Sequence, residues 1–327
     1  MYSYLIVDSV LVAYILFNSA EEELNMKLLI KIGNQKVYRN LLRRFIETMD
    51  FLKKKFLSDT GEVICLFDNY HSREELRSLL VPLKEHEFRK TLYPAYKAQR
   101  RSAKIEFYNT LDKIKYYMRI RTPEYHTANI PNLEADDLVR PCIEFLQKGK
   151  EHPPEILLVT NDSDWCRYLH EFTHWLPDIH GEPEGINDFV SKHGFVPTEE
   201  KIILNKIMHG DAADNIQQVF PEFPETLKEY IVREFNTVAD FMFEAPSHKE
   251  LGDYAKLIKE RETHIKAAYQ MLAAIPVTPQ HFAAIFTTGR DAIMVKEVLD
   301  EAIFGPPEEE NTFTFGEIPI PRRDPRS

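Results

Sequence analysis

The sequence predicts an α/β fold, a mostly parallel sheet flanked by helices, on three observations. Apolar runs of strand length alternate with segments of helical period over the first two thirds of the chain. Three of those runs end directly on acidic clusters, at YLIVDS, VICLFD and LLVTNDSD. Nine carboxylates fall in five short clusters, where such a fold gathers side chains at the carboxyl edge of the sheet.

Residues 4–9 and 62–68 read as strands. Between them an amphipathic helix spans about 36–57, with Val37, Leu41, Leu42, Phe45, Met49, Leu52 and Phe56 on its inner side, and Ser58 to Gly61 supply the break. A strand near 125–130 leads into a helix over 134–148, which Gly149 and the Pro153–Pro154 pair end. EILLVT at 155–160 is the clearest strand, and a short one follows near 173–179. Beyond about residue 198 the strand signals stop. KIILNKIMHG, ETLKEYIVREF, KELGDYAKLIKERETHIKAAYQMLA and RDAIMVKEVLDEAIF all carry helical periodicity, so the carboxyl third is helical. Residues 305–327 hold five prolines, an EEE run and an RR pair, and read as a tail in which Phe313 and Phe315 are exposed apolar residues.

A chain of 327 residues with 43% hydrophobic content can bury a substantial core in one large domain or two unequal ones. Cys65, Cys142 and Cys166 form no close pair, which fits a reducing compartment without a disulfide framework or zinc site. The amino-terminal YLIVDSVLVAYILF is too short for a spanning helix, lacks a basic flank and carries Asp8, so it reads as a buried strand and the start of a helix; no membrane partner is expected. The net charge of −11 hides a polarity: from Lys84 to Arg121 there are 11 basic and 4 acidic residues, a local +7 on a remainder of −18. A basic stripe on an acidic body suits a phosphate backbone, although a solvated charged helix has the same composition.

The carboxylates are Asp8, Asp68, the trio Glu134, Asp136 and Asp137 in LEADD, Asp162 and Asp164 in TNDSD, and Asp211 and Asp214 in GDAADN, the last two placed one helical turn apart. Each cluster alone has a structural explanation, since Asp162 or Asp164 can cap a following helix and LEADD suits a helix amino terminus. Independent capping does not predict their convergence. Like charges in one crevice raise one another's pKa and call for cations, and oxygen-only ligands point to Mg²⁺, with Mn²⁺ able to substitute. Two such ions suit phosphodiester hydrolysis. HEFRKTLYPAYKAQRRSAK offers the clamp: Lys97 and Arg100, read as one helical turn apart, can reach one phosphate, Tyr96 offers a ring for base stacking or for ordinary packing, and Arg101 and Lys104 add nucleic-acid contacts.

The ordered series LIVDS, LFD, FRKTLYPAYKAQR, LEADD, TNDSD and GDAADN resembles the flap endonuclease and 5′–3′ exonuclease family, which includes the 5′-nuclease domain of bacterial DNA polymerase I and phage enzymes of the ribonuclease H type. The resemblance covers about residues 4–220 and implies a PIN-like α/β fold with a helical arch. It divides the chain into a catalytic domain over 1–197 with its arch at about 75–122, a helical DNA-binding region over 198–304 with a degenerate helix-hairpin-helix, and the tail over 305–327. By the same resemblance Asp8, Asp68, Glu134 and Asp136 match a first metal site, and Asp162, Asp164 and Asp214 a second, with Asp137 and Asp211 in support. Arg89 matches the arch-base arginine, while Tyr96, Lys97 and Arg100 match residues that stack on a base and grip the scissile phosphate; Lys97 and Arg100 join Asp8 and Asp68 as the catalytic set.

The implied activity is a structure-specific, metal-dependent 5′ nuclease acting on DNA with a 5′ flap or 5′ end, or on an RNA–DNA hybrid, in replication or repair. Implied partners are a single-strand-binding protein or sliding clamp, and the implied setting is the cytoplasm and nucleoid of a bacterial or phage-infected cell, apart from any polymerase. One departure stands out. Where relatives have a glycine-rich turn binding duplex backbone with K⁺, this chain reads IQQVFPEFPETLKEY, which argues against potassium-dependent binding. Three rivals carry different signatures. A PIN-type ribonuclease acting on RNA does not need the tyrosine-bearing basic arch; an inactive junction-binding scaffold gains nothing from keeping every carboxylate; and an aspartyl phosphatase wants an acid where Val10 stands.

Overall fold

The computed structural model describes residues 1–18, 28–68, 89, 93–98, 103–121, 123–130, 133–277, 287–288, 300 and 303–304. Strand β1 (Tyr2–Asp8) runs into helix α1 (Ser9–Asn18); a hairpin of β2 (Leu29–Ile32) and β3 (Gln35–Tyr38) leads to α2 (Arg39–Phe56) and β4 (Leu57–Leu66). Then come α3 (Ile105–Arg121), β5 (Tyr125–Ala128), α4 (Ala135–Gln147), β6 (Ile156–Val159) and β7 (Thr173–Leu176). Helices α5 (Ile186–His193), α6 (Glu199–His209), α7 (Glu225–Glu234), α8 (Val238–Glu244), α9 (Ala255–Glu260) and α10 (Glu262–Leu272) precede the two-residue β8 (Thr287–Thr288).

The main sheet has the order β7-β6-β1-β4-β5-β8. Its first five strands pair in parallel and β8 joins β5 antiparallel. Strand alternation divides the core between the two faces. Leu5, Val7, Val63, Cys65, Leu157 and Val159 pack with α1, α2 and α3 on one side, while Ile6, Ile64, Leu66, Ile156 and Leu158 pack with α4 on the other. A separate apolar cluster joins α6, α7, α8, α9 and α10, and Tyr96 belongs to it. The chain builds from β1 outward to β4 and β5, then returns to β6 and β7 on the opposite side. The strand order therefore reverses at β1, the position where open α/β sheets bind ligands beyond their carboxyl ends.

Several expectations are corrected. The helix expected from 36 begins at Arg39, because KLLIKIGNQKVY alternates and turns at Gly33, whose φ of +61° suits a tight two-residue connection. Ser58 to Gly61 lie inside β4 rather than breaking the chain; the register against β1 jumps from Tyr2↔Leu57 to Tyr4↔Glu62, so the extra residues form a bulge. Asp211 and Asp214 are not helical: Asp211 bridges Ile216 across a tight turn. Strand signals do not wholly stop after 198, since β8 pairs with β5. Most of the arch at 75–122 outside α3 and 93–98, the tail over 305–327 and the residues Arg100 and Arg101 lie outside the described residues.

Candidate active site

Three neighbouring strands deliver the first carboxylates. Asp8 ends β1, and its partner Leu66 on β4 is followed two residues later by Asp68; on the other flank Val159 of β6 pairs with Val7 and leads through Thr160 to Asp162. Asp8 is 7% exposed, accepting from the Leu11 amide at 3.1 Å and the Thr160 hydroxyl at 3.3 Å. Asp68 accepts from the Ala135 amide at 2.6 Å, which ties the end of β4 to the first turn of α4. That turn presents Glu134, Asp136 and Asp137 to the same crevice.

The capping explanation and the convergence both hold, in the same residues. Asp162 caps the short 3-10 turn Ser163–Tyr168 by accepting from the Asp164 amide at 2.9 Å, and Asp137 accepts from the Glu134 amide at 3.2 Å. Capping fixes where the remaining oxygens point.

The carboxylates titrate according to their company. Burial, then Asp68 and Asp162 nearby, push Asp8 up to about 8. Asp136 is raised well above its ordinary value by burial and then by Asp162 and Asp8, and Asp162 is raised by burial and by Asp164. Trp165 donates its indole N–H to Asp136 at 2.6 Å, and Trp175 donates to the Thr160 carbonyl at 2.6 Å.

Opposite them, basic side chains close on the other acids. Arg89 Nη1 meets Glu134 and Nη2 meets Asp137, each at 2.9 Å, while Lys97 Nζ lies 2.7 Å from Glu134 and 3.8 Å from Asp214. Lys206 bridges Asp164 and Asp211, and Arg167 reaches Asp164 at 3.4 Å. Burial lowers both lysines, but the facing carboxylates outweigh it and raise them. Burial likewise pushes Asp211 up, yet Lys206 holds it below its ordinary value.

Several site expectations meet these contacts. Tyr96 is 4% exposed and donates to Glu134 at 3.2 Å, so its ring packs in the helical core instead of offering a stacking face. Arg89 is buried against Glu134 and Asp137 rather than displayed for a nucleic acid. Asp137 and Asp211 commit both of their oxygens to protein donors: Asp137 takes the Ile275 and Glu134 amides besides Arg89, and Asp211 takes the Ala213 and Asp214 amides besides Lys206. These hydrogen bonds orient the basic groups, as a supporting role for the two acids requires. Lys97 has a φ of +52° and sits in a turn rather than a helix; its amide donates to the Asp214 carbonyl at 3.0 Å, and Asn215 Nδ2 holds the Ala95 carbonyl at 2.8 Å. Lys104 is exposed ahead of α3. Lys206, Arg167, Trp165 and Thr160 were not singled out by sequence. Lys206 lies inside an amphipathic helix, and its position five residues before Asp211 was the available signal.

Beneath these pairs the crevice lined by Glu134, Asp136, Asp164 and Asp214 keeps a cavity of about 20 Å³, room for roughly one water. Among the described residues no three acidic, imidazole or thiol groups converge into a preformed metal cage. The donor set still fits hard divalent cations, because it is oxygen-only and three of its members carry raised pKa values that a cation would relieve. In the loop after GDAADN, the Val219 carbonyl is taken by Arg261, and Phe220 stacks on Phe223 with ring centres 4.5 Å apart. The Val219 amide itself donates to the Ile207 carbonyl at 2.9 Å.

The family profile of the 5′–3′ exonuclease N-terminal resolvase-like domain matches residues 3–188. The chain belongs to the 5′–3′ exonuclease family. It is accordingly a nuclease, built on the resolvase-like PIN-type α/β fold. No curated protein matches the chain by sequence. Among solved structures, a bacteriophage T5 protein co-crystallised with metal ions aligns with a TM-score of 0.57 at 19% identity, covering 92% of this chain and 97% of that one. A variant of the bacteriophage T5 flap endonuclease, in a pseudo-enzyme-product complex with DNA and metal ions, gives 0.56 at 19% identity, covering 92% and 96%. The T5 5′-exonuclease with zinc bound gives 0.55 at 19% identity, covering 91% and 99%. At this identity the likeness speaks for the fold. No described helix is long and apolar enough to cross a membrane.

Proposed function

We propose that this nuclease is structure-specific and divalent-metal-dependent, cleaving DNA at 5′ flaps and 5′ ends and removing RNA primers as RNA–DNA hybrid, in replication or repair. The observation that carries the reading is the convergence of Asp8, Asp68, Asp136 and Asp162 beyond the strand-order reversal, where burial and neighbouring carboxylates raise Asp8, Asp136 and Asp162, a charge arrangement that a binding scaffold does not need. Asp8, Asp68, Glu134 and Asp136 would hold one divalent ion, and Asp162, Asp164 and Asp214 a second. When bound, Mg²⁺ or Mn²⁺ supplies Lewis acidity and lowers the pKa of attacking water.

The chain's own groups do the rest. Lys97, withdrawn from Glu134, places its ammonium on the scissile phosphate, with Arg100 in the same segment as its companion. Lys206 and Arg167 keep Asp164 turned toward the crevice. The enzyme would work in the nucleoid of a bacterial or phage-infected cell, beside a single-strand-binding protein or sliding clamp.

The test is Mg²⁺-dependent cleavage of a 5′-labelled flap duplex by wild type and by Asp162→Asn/Asp164→Asn, with a blunt duplex and an RNA–DNA hybrid alongside. Cutting near the junction by wild type and none by the variant supports the reading. Binding without cleavage by either protein would sink it in favour of a scaffold, and cleavage confined to RNA would favour a PIN-type ribonuclease.

A further inference from the structure

A second opening lies on the same sheet edge, beside the carboxylate crevice. It is a cavity of about 200 Å³ between α1 and the chain leaving β6 and β7. Val12 and Ile15 of α1 form one wall, Leu176 and Ile179 the other, and Thr160 and Asn161 the side nearest the acids.

The two spaces share Thr160. Its hydroxyl donates to Asp8 at 3.3 Å and accepts from the Asp162 amide at 3.0 Å, while its carbonyl takes the Trp175 indole N–H at 2.6 Å. Whatever enters the cavity therefore touches a residue bonded to two of the acids the nuclease reading relies on. Asn161 is exposed, immediately precedes Asp162, and shows no protein partner for its amide among the described residues.

The lining selects the kind of group that fits. It contains no basic side chain, and its one charged member, Asp178, accepts from the His180 amide at 2.9 Å within its own turn. A phosphate has nothing to bind there. Apolar walls with a single amide at the mouth suit a neutral planar heterocycle, because the faces go to the aliphatic side chains and one edge to the amide. A phosphodiester held at the acids necessarily carries such a heterocycle one sugar away.

We propose that this cavity receives the nucleobase flanking the scissile phosphate, with Asn161 hydrogen-bonded to its edge and Ile15 and Leu176 against its faces. The inference rests on the 5′-nuclease reading and adds a base-holding subsite that positions the phosphate through Thr160. Apolar pocket contacts of this size are worth roughly ten-fold or more in discrimination.

The experiment measures kcat and KM for wild type, Ile15→Trp and Asn161→Ala. The substrates are 5′-labelled flap duplexes carrying either a normal nucleotide or an abasic one, placed in turn on each side of the cleavage position. Expected is a KM about ten-fold higher for one of the abasic flaps, a similar rise for each variant on the normal flap, and no further rise when variant and abasic flap are combined. Asn161→Ala, at an exposed position, guards against the chance that Ile15→Trp fails to fold. Equal kcat and KM on normal and abasic flaps at both positions would overturn the subsite and leave the nuclease reading standing. If wild type cuts no flap at all, the reading and the subsite fall together.

Discussion

The two halves of the carboxylate crevice solve the same electrostatic problem in opposite ways. Around Asp8, Asp136 and Asp162 the acids face one another and their pKa values rise; around Glu134, Asp137, Asp164 and Asp211 each acid has an arginine or lysine against it. The paired half is stable as it stands, whereas the other half holds charge that folding alone does not neutralise. A protein built only for stability has no reason to keep the second arrangement. Within the ligand sets proposed above, the contrast separates acids that share their charge with a basic side chain, Glu134 and Asp164, from acids that face mainly one another.

The largest effect should come from stripping the paired half of its cation. Lys206→Met leaves Asp164 and Asp211 buried without their shared counter-ion, and we expect a loss of about 3–5 kcal/mol in denaturant unfolding. An unchanged midpoint would show that the halves are not electrostatically distinct.

The same operation on the other half should invert the sign. Asp162→Asn removes repulsion, so the metal-free protein should melt no lower than wild type, while divalent-dependent cleavage drops by about 10²–10³-fold. A variant that both melts lower and cleaves normally would break the comparison.

Acidity sharpens it further. Asp8 sits at about 8 when folded against a usual 3.8, so between those values the native state binds more protons than the unfolded chain. Stability of the metal-free protein should therefore fall as pH rises from about 4 to 8, and added Mg²⁺ should raise the melting temperature more at pH 8 than at pH 6. Calorimetry at the two pH values decides it; a larger Mg²⁺ shift at pH 6 contradicts the assignment. The smallest effect is expected at the edge of the paired half, where Tyr96→Phe removes one hydrogen bond to Glu134 and should cost about 0.5–1.5 kcal/mol with little change in divalent affinity by titration calorimetry.

What the sequence made legible was whatever depends on period and order. The buried strands alternate with helices as read, their carboxyl ends carry Asp8, Asp68 and Asp162, and among the described residues after 198 the regular structure is helical apart from β8, while most of RDAIMVKEVLDEAIF lies outside the described residues. Partnership was not legible. Tyr96 and Arg89 look like surface groups of a basic stripe until tertiary packing sets them on Glu134, and Lys206 looks like any solvent-facing lysine of an amphipathic helix. Local spacing also misled where turns replaced helices, at Lys97 and at Asp211 to Asp214, because left-handed positions at Lys97 and Asn215 are held by contacts between two distant segments. The bulge in β4 was hidden for a related reason: Ser58 to Gly61 carry turn chemistry, and only the pairing of Leu57 and Glu62 with β1 on either side of them keeps them within the strand.

The two tryptophans are the only ones in the chain, and both indoles are wired into this edge, Trp165 to Asp136 and Trp175 to the Thr160 carbonyl. Trp165 is fully buried, so its surroundings change chiefly through that bond. The protein thus carries an intrinsic indole at each side of its acids, and a cation entering the crevice as proposed should change the emission of Trp165 through its bond to Asp136 without any label being attached.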